Sequence, residues 1–331
     1  MEPKTILWLE LHEPSLMELE ESLLPEGYRL LRPTSLTDTE EHLRLLEEAD
    51  YVICGSIPLT ADHLARAKKL KMIQKWGVGL DKIDCQEAAR RGIPVYLTAG
   101  ANAIPVAELA VGLMFAVSRK IPYMDRTMRE GQWVRKQMRA QGSMIHGKTV
   151  GLLGAGNIAR EVAKMLRGFE GTQVIYYDIV PLPPEVEEEP RLRYVPFEQL
   201  QSASDILSVH VPLLPSTKGM IGPLQLERMK PSAILINTAR GGVVDEAALI
   251  QALKNGTIRA AGLDSFDLEP LPEDSELLTL GNVVLTCHCG GAVADNVERV
   301  TRHAYGNIAA FDQGRPISPK DAAPSNASLP R

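Results

Sequence analysis

The chain has 331 residues, 44 % of them hydrophobic and 24 % charged, with a net charge of −6 at neutral pH; this fits a soluble protein of about two domains. That acidic balance excludes nucleic acid as the main partner, because phosphate binding calls for a basic surface. No apolar run approaches the ~18 residues of a membrane span, and the opening MEPKTILWLELHEP lacks the basic start and long apolar core of a secretory signal.

Short apolar runs recur along the chain, separated by helix-like stretches. ILWL (6–9), YVIC (51–54), KMIQ (71–74) and PVYL (94–97) come first. Next is NAIPVAELAVGLMFAVS (102–118), a helix that Asn102 can cap, with Pro105 tolerated in its first turn. It is apolar on nearly every face and is therefore expected to be buried between layers or domains. A basic stretch from Arg126 to Arg139, containing Trp133, follows. A second set of runs starts after residue 146: VGLL (150–153), VIYY (174–177), ILSVH (206–210), AILIN (233–237) and VVLT (283–286). Runs of this length without polar alternation suit strands buried on both faces of a parallel sheet, and their alternation with helices predicts a doubly wound α/β architecture. PLPPEVEEEP (181–190) reads as a loop with solvated glutamates, and the tail after Phe311 as frayed or disordered. Cys54, Cys85, Cys287 and Cys289 are the cysteines. All but Cys85 sit in apolar, strand-like contexts, which is cysteine used as a small hydrophobe in a reducing compartment, the cytosol.

VGLLGAGNIAREVA (150–163) runs from a strand through glycines into a helix. Gly154, Gly156 and Ala159 match G-x-G-x-x-G/A: the first glycine makes the tight turn, and the second lets a pyrophosphate approach the N–H groups that open the helix. VIYYD follows, and Asp178 at its end is placed to bond the adenosine ribose hydroxyls and to repel a 2′-phosphate. No arginine adjoins Asp178, so the coenzyme is expected to be NAD.

WGVGLDKID (76–84), NAIPVAELAVGL (102–113), GKTVGLLGAGNIA (147–159), HVPLLPSTKGMI (210–221), INTARGGVVDEAAL (236–249), GLDSFDLEP (262–270) and TCHCGG (286–291) occur in the order found in the D-isomer-specific 2-hydroxyacid dehydrogenases, and the chain resembles that family over most of its length. The resemblance implies two Rossmann-like, doubly wound parallel-sheet domains with the active-site cleft between them. The catalytic or substrate domain would be discontinuous, 1–101 and 290–331, around an NAD-binding Rossmann domain, 102–289.

Three residues match the family's catalytic set. Arg240, in NTARGG, would grip a substrate carboxylate with two parallel hydrogen bonds and hold C2 in line for hydride. His288 would protonate the carbonyl oxygen as hydride arrives and take the proton back in the oxidative direction. Glu269, in DLEP, would accept from the other ring nitrogen and fix the tautomer. Cys287-His288-Cys289 also raises the possibility of a metal clip. On an extended strand, however, the cysteines face one way and His288 the other, and a structural zinc needs four converging ligands; no metal is expected. The family usually has proline at the Cys287 position and an aliphatic residue at Cys289, so both depart from its pattern.

The resemblance also assigns backbone donors for the substrate carboxylate to Val78 and Gly79, with Val78 near the nicotinamide. It puts Asn157, Ile158, Val211, Thr238, Ala239 and Gly290 along the cofactor, beside Arg240 and His288, and has Asp264 bond the carboxamide. Trp133 is a candidate pocket cap at a homodimer interface. In phosphoglycerate dehydrogenases the loop corresponding to GSIPLT (55–60) usually carries an arginine; here it has no cation. That favours a small 2-oxo acid such as glyoxylate or hydroxypyruvate. The alternatives are a phosphoglycerate dehydrogenase-like enzyme, a sulfonated or dianionic substrate using Arg135, Lys136 or Arg139, and a non-enzymatic NAD-sensing module like the corepressors that share this fold.

Overall fold

Leucine, isoleucine and valine dominate the apolar runs, and in the computed structural model of the chain, which describes residues 2–328, those runs pair into two all-parallel sheets. Each sheet belongs to one of two compact units. One unit holds the residues up to Asn102 together with those from Val293 onward; the other is Ala103–Ala292. Among the described residues, no helix is long and apolar enough to cross a membrane.

The first unit contains β1 (Lys4–Leu9), β2 (Tyr28–Leu31), β3 (Tyr51–Cys54), β4 (Met72–Lys75) and β5 (Val95–Tyr96), in the order β2-β1-β3-β4-β5. Alternate residues of each strand enter two cores, as the two-residue period of a strand requires. Ile6, Trp8, Tyr51, Ile53 and Met72 pack with Ala304, Tyr305 and Ile308 of the helix Ala294–Asp312. Leu7, Leu9, Val52, Cys54 and Ile73 pack with Leu46, Leu64 and Ala88 on the opposite face.

The tail corrects the reading from sequence. Residues 319–326 are not frayed but folded against the β5 edge. Val95 N–H donates to Asn326 Oδ1 at 2.8 Å and Val95 O accepts from Asn326 Nδ2 at 2.8 Å, so one side-chain amide imitates a strand partner. Asp321, 4 % exposed, accepts from Ala99 N–H at 3.0 Å and from His303 Nε2 at 2.8 Å. Backbone bonds from Leu97 N–H to Asp321 O and from Ala323 N–H to Val95 O complete the attachment, so the segment's polar groups are satisfied by the β5 edge.

The second unit contains β6 (Thr149–Leu153), β7 (Gln173–Tyr177), β8 (Leu192–Tyr194), β9 (Ile206–Val209), β10 (Ile234–Asn237), β11 (Ala260–Leu263) and β12 (Val283–Leu285), in the order β12-β11-β10-β9-β6-β7-β8. The winding reverses between β6 and β9, and a sheet of this kind binds ligands in the crevice at the carboxyl ends of its strands there. The helix Ala103–Arg119 lies on one face, with Ala107, Ala110, Leu113, Met114 and Val117 buried alongside Ala159, Val162 and Ala163 of the helix Asn157–Leu166. Strand β11, reading AAGL, has small residues because that helix presses on it. A Cβ on Gly262 would come within 3.2 Å of Leu113 and Val117. The 181–190 stretch is less loose than its composition suggests: Pro184–Glu188 is a short helix, and Tyr176 Oη donates to Glu187 at 2.6 Å.

Candidate active site

The glycine turn is forced by its surroundings. Gly154 has φ +96°, and a Cβ there would meet the His210 carbonyl carbon and Val211 Cγ1 at 3.0 Å. A Cβ on Gly156 would instead project into open space, at the start of the helix Asn157–Leu166, where the first-turn N–H groups of Asn157 and Ile158 have no intrahelical acceptor. That is a cradle for an anionic group. Ala159 is fully buried and seats the helix on the sheet. Asp178 closes the turn, accepting from Ala155 N–H at 2.8 Å and Ile179 N–H at 2.7 Å. A carboxylate offers about four acceptor sites, so it retains capacity for ribose hydroxyls.

The next three strand ends each leave a buried side-chain atom without a hydrogen-bond partner: His210 Nε2 after β9, Thr238 Oγ1 after β10 and Ser265 Oγ after β11. Buried polar atoms are rarely left unpaired, so this row suits a polar ligand lying along the edge. Burial pushes the His210 pKa down to about 4, which keeps that ring neutral at physiological pH. His210 carried no role in the sequence reading; its place right after a buried strand was the available signal. Taken with the Gly156 cradle, the row fits a dinucleotide.

The acid–base residues come from adjoining turns of the same unit. Asn237, at the end of β10, shapes the arginine turn: its Nδ2 donates to Arg240 O at 2.9 Å and its Oδ1 accepts from Ala239 N–H at 3.1 Å. Gly241 lets this turn lie directly on the Phe266 backbone, where any Cβ would fall 2.0 Å from the carbonyl carbon. Phe266 N–H in turn donates to Glu269 Oε1 at 3.0 Å, and Glu269 Oε2 is 2.7 Å from His288 Nδ1. The carboxylate can only accept, so Nδ1 carries the proton and Nε2 is the nitrogen left for chemistry. His288 and Glu269 side chains are 43 % and 36 % exposed, open enough to meet a solute.

The loop holding His288 is not the extended strand expected from the sequence. β12 stops at Leu285, and His288 has φ +54°, so Cys287 and Cys289 do not simply alternate with it across a strand. A left-handed residue with a Cβ costs about 1–2 kcal/mol. Asp264, 2 % exposed, offsets this by gripping the loop on both sides of His288. Its Oδ1 accepts from Thr286 Oγ1 at 2.7 Å and from Cys289 N–H at 2.9 Å, and its Oδ2 accepts from Gly290 N–H at 2.9 Å. Hydrogen bonds to a charged group contribute about 1.5–3 kcal/mol each. Among the described residues, no group of three or more His, Cys, Asp or Glu is arranged to hold a metal ion.

Val78 and Gly79 follow β4 in the first unit; Val78 is exposed, and Thr98 Oγ1 fixes the turn by accepting from Gly77 N–H at 2.7 Å. The 55–60 loop has no cation of its own, but the reading from sequence missed Lys75 of the neighbouring strand, which is buried and donates its ammonium to the Gly55 carbonyl. Trp133 is 74 % exposed between the helices Ile121–Arg129 and Arg135–Gln141 of the second unit, and Arg135, Lys136 and Arg139 lie on the latter.

Comparison with known proteins returns one consistent picture. The family model for the NAD binding domain of D-isomer specific 2-hydroxyacid dehydrogenases matches residues 111–290. A glyoxylate reductase of Korarchaeum cryptofilum is 37 % identical over 95 % of this chain and 94 % of its own length. A hydroxypyruvate reductase of Thermotoga maritima is 41 % identical over 82 % of this chain and 89 % of its own. Among solved structures, the holo form of Rhodotorula graminis D-mandelate dehydrogenase superposes with a TM-score of 0.86 at 28 % identity, covering 98 % of both chains.

Proposed function

The chain belongs to the D-isomer specific 2-hydroxyacid dehydrogenase family, and from that premise we propose that it is an NADH-dependent reductase of small, unphosphorylated 2-oxo acids such as glyoxylate or hydroxypyruvate. The observation that carries this reading is the His288–Glu269 pair, 2.7 Å apart at the carboxyl edge of the sheet, with the Arg240 turn resting on the same Phe266 backbone that anchors Glu269. Arg240 holds the substrate carboxylate and so fixes C2. Bound NADH supplies the hydride. His288 Nε2 delivers a proton to the C2 oxygen as the alkoxide forms, and the Glu269 carboxylate stabilises the imidazolium that donates it. The amides of Val78 and Gly79 remain assigned to the substrate carboxylate. Val211, Thr238, Ala239 and Gly290 would border the cofactor, and Asp264 is assigned to its carboxamide.

The lack of any cation within residues 55–60, with Lys75 buried and committed to a backbone carbonyl, supports an unphosphorylated substrate. A panel of 2-oxo acids with NADH consumption as readout tests this. Glyoxylate or hydroxypyruvate should give the highest kcat/KM. A preference for the 3-phosphorylated or a sulfonated acid overturns the substrate assignment, and tight NADH binding without turnover of any acid points to a sensing module. Asp178, followed by Ile179 and Val180, should make NADPH the poorer coenzyme, and equal kcat/KM with NADPH would remove Asp178 from that role.

The same reading includes a homodimer built on the segment after the helix Ala103–Arg119, where Ile121, Met128, Trp133 and Met144 are exposed. Light scattering that gives the 36.3 kDa monomer mass at micromolar concentration counts against it. Four free thiols support a reducing, cytoplasmic setting.

A further inference from the structure

The amino-terminal edge of the second sheet lies at the far end of the strands from His288, and the chemistry above makes no use of it. A cavity of about 490 Å³ opens there, beside Arg259, where β11 begins, and Val283, where β12 begins. Sites for small molecules span about 300–1,000 Å³. The other wall is the junction of the helices Ala103–Arg119 and Ile121–Arg129, with the end of the helix Arg135–Gln141. Lys120, Arg126 and Arg259 line the cavity together with Tyr123, and among the described residues no Asp or Glu does.

These cations are held in place without being neutralised. Lys120 Nζ lies 5.8 Å and Arg126 Cζ 5.9 Å from the centre of the Tyr123 ring, within cation–π range of a group that has no net charge. Arg259 Nη2 donates to the Gln141 carbonyl at 2.5 Å, which uses one N–H of a guanidinium and leaves the others for another acceptor. The carbonyl ends of two helices offset about half a charge each, and the opening end of the helix Ile121–Arg129 returns about half, so a surplus of about two positive charges remains. Lys120, at the junction itself, has φ 51°, a left-handed strain of the kind found at ligand clamps.

We propose that this cavity is a second ligand site, for a small polyanion carrying carboxylate or phosphate groups. The guanidinium forks of Arg126 and Arg259 match either group with paired hydrogen bonds, and Lys120 adds a compact point charge. A ligand here joins the helix Ile121–Arg129 to the start of β11, so its binding stabilises the fold. The site is independent of the reaction proposed above. None of the exposed apolar residues assigned to the homodimer lines the cavity, so dimer formation through them leaves it open.

The test is calorimetric titration of the full-length enzyme with citrate and, separately, with pyrophosphate. NADH is present at saturation, so that the anion cradle at Gly156 is already filled, and sodium chloride at matched ionic strength serves as the blank. Saturable binding of at least one probe is expected, with a dose-dependent rise in melting temperature, and the tighter probe names the group preferred. Arg126→Gln and Arg259→Gln should each weaken binding about tenfold, the usual share of one charged hydrogen bond. Arg126 is exposed, so its variant decides the matter even if Arg259→Gln, which also loses the Gln141 bond, fails to fold. Arg135→Gln removes a cation outside the cavity and should change nothing. Binding that chloride reproduces, that Arg126→Gln leaves at full strength, or that occurs only without NADH overturns the site. So does a loss in Arg135→Gln equal to that in Arg126→Gln, which marks a diffuse surface field instead.

Discussion

His288–Glu269 and His303–Asp321 are the same chemical pair, an imidazole nitrogen 2.7 or 2.8 Å from a carboxylate oxygen. Their settings differ in every other respect. Asp321 is buried, its second oxygen bonded to Ala99 N–H and its backbone oxygen to Leu97 N–H, and His303 sits within a regular helix. Glu269 and His288 are both well exposed, and His288 occupies a conformation that a side chain disfavours. Bond length therefore does not separate a structural pair from a chemical one. The distinguishing marks are backbone strain supported from outside, here by Asp264, and a ring nitrogen left open to a solute.

Exchanging the same substitution between the two pairs should give opposite results. His288→Asn is expected to lower reductive kcat/KM by about 10²–10⁴-fold, the usual share of a general acid. The melting temperature should not fall, because asparagine tolerates the left-handed region better than histidine does. His303→Asn should lower the melting temperature and leave kcat/KM alone. A stability loss in His288→Asn equal to that in His303→Asn would erase the distinction.

Arg240→Lys keeps the charge but loses the planar two-point grip, and an effect of about 10²-fold in kcat/KM is expected from misplaced C2, with NADH affinity unchanged. Near-native kinetics would take Arg240 out of the site. On the structural side, Asp321→Ala leaves buried donors unpaired and should cost about 1–3 kcal/mol in denaturant unfolding, with no change in kcat.

Glu269→Gln sharpens the contrast further. It removes the charge that favours imidazolium, which reduction needs and oxidation does not. The expected loss is about tenfold in reductive kcat/KM and less in the oxidative direction. Equal losses in both directions would break the pair as assigned.

The smallest effect concerns Asp312, which accepts from Lys4, Tyr51 and Tyr28. Burial alone would raise its pKa, but those bonds outweigh it and hold the carboxyl below the ordinary range. A depressed folded pKa contributes stability that is present above the unfolded value, near 3.9, and is lost as pH falls through the folded one. Asp312→Asn should therefore flatten that acid limb of stability, measured by urea unfolding across pH. An unchanged limb would assign it to other carboxylates.

Much of the second unit was legible because its signals are local. The glycine turn, Asp178 and the apolar runs of β6, β7, β9, β10 and β12 each follow from residues adjacent in sequence. β11 was invisible as a strand, since AAGL owes its small residues to pressure from the helix Ala103–Arg119 rather than to strand propensity. β2 and β8 were missed as short edge strands with exposed arginines at Arg29 and Arg193. Glu269 reads from sequence as a surface carboxylate in a proline-rich turn, and only the family resemblance singled it out. Its anchor, Phe266 N–H, is a contact that composition does not encode. The role of Asp264 as the post behind the His288 loop was likewise hidden, because it depends on the loop's path after Leu285. The folded tail depended on long-range bonds, backbone and side-chain, between Asp321, Ala323 and Asn326 and residues 95–99.

The first unit is assembled from both ends of the chain, and this dictates an order of events at the ribosome. Ala103–Ala292 is continuous and can close its sheet as soon as it has emerged. β1, β3 and β4 are made before it, yet one of their faces awaits Ala304, Tyr305 and Ile308, and the β5 edge awaits Asn326. Until the helix Ala294–Asp312 is made, the nascent chain therefore presents Trp8, Tyr51 and Met72 without their final cover. Strands translated ahead of the second unit are thus completed after it, and in that interval a chaperone has the most to hold.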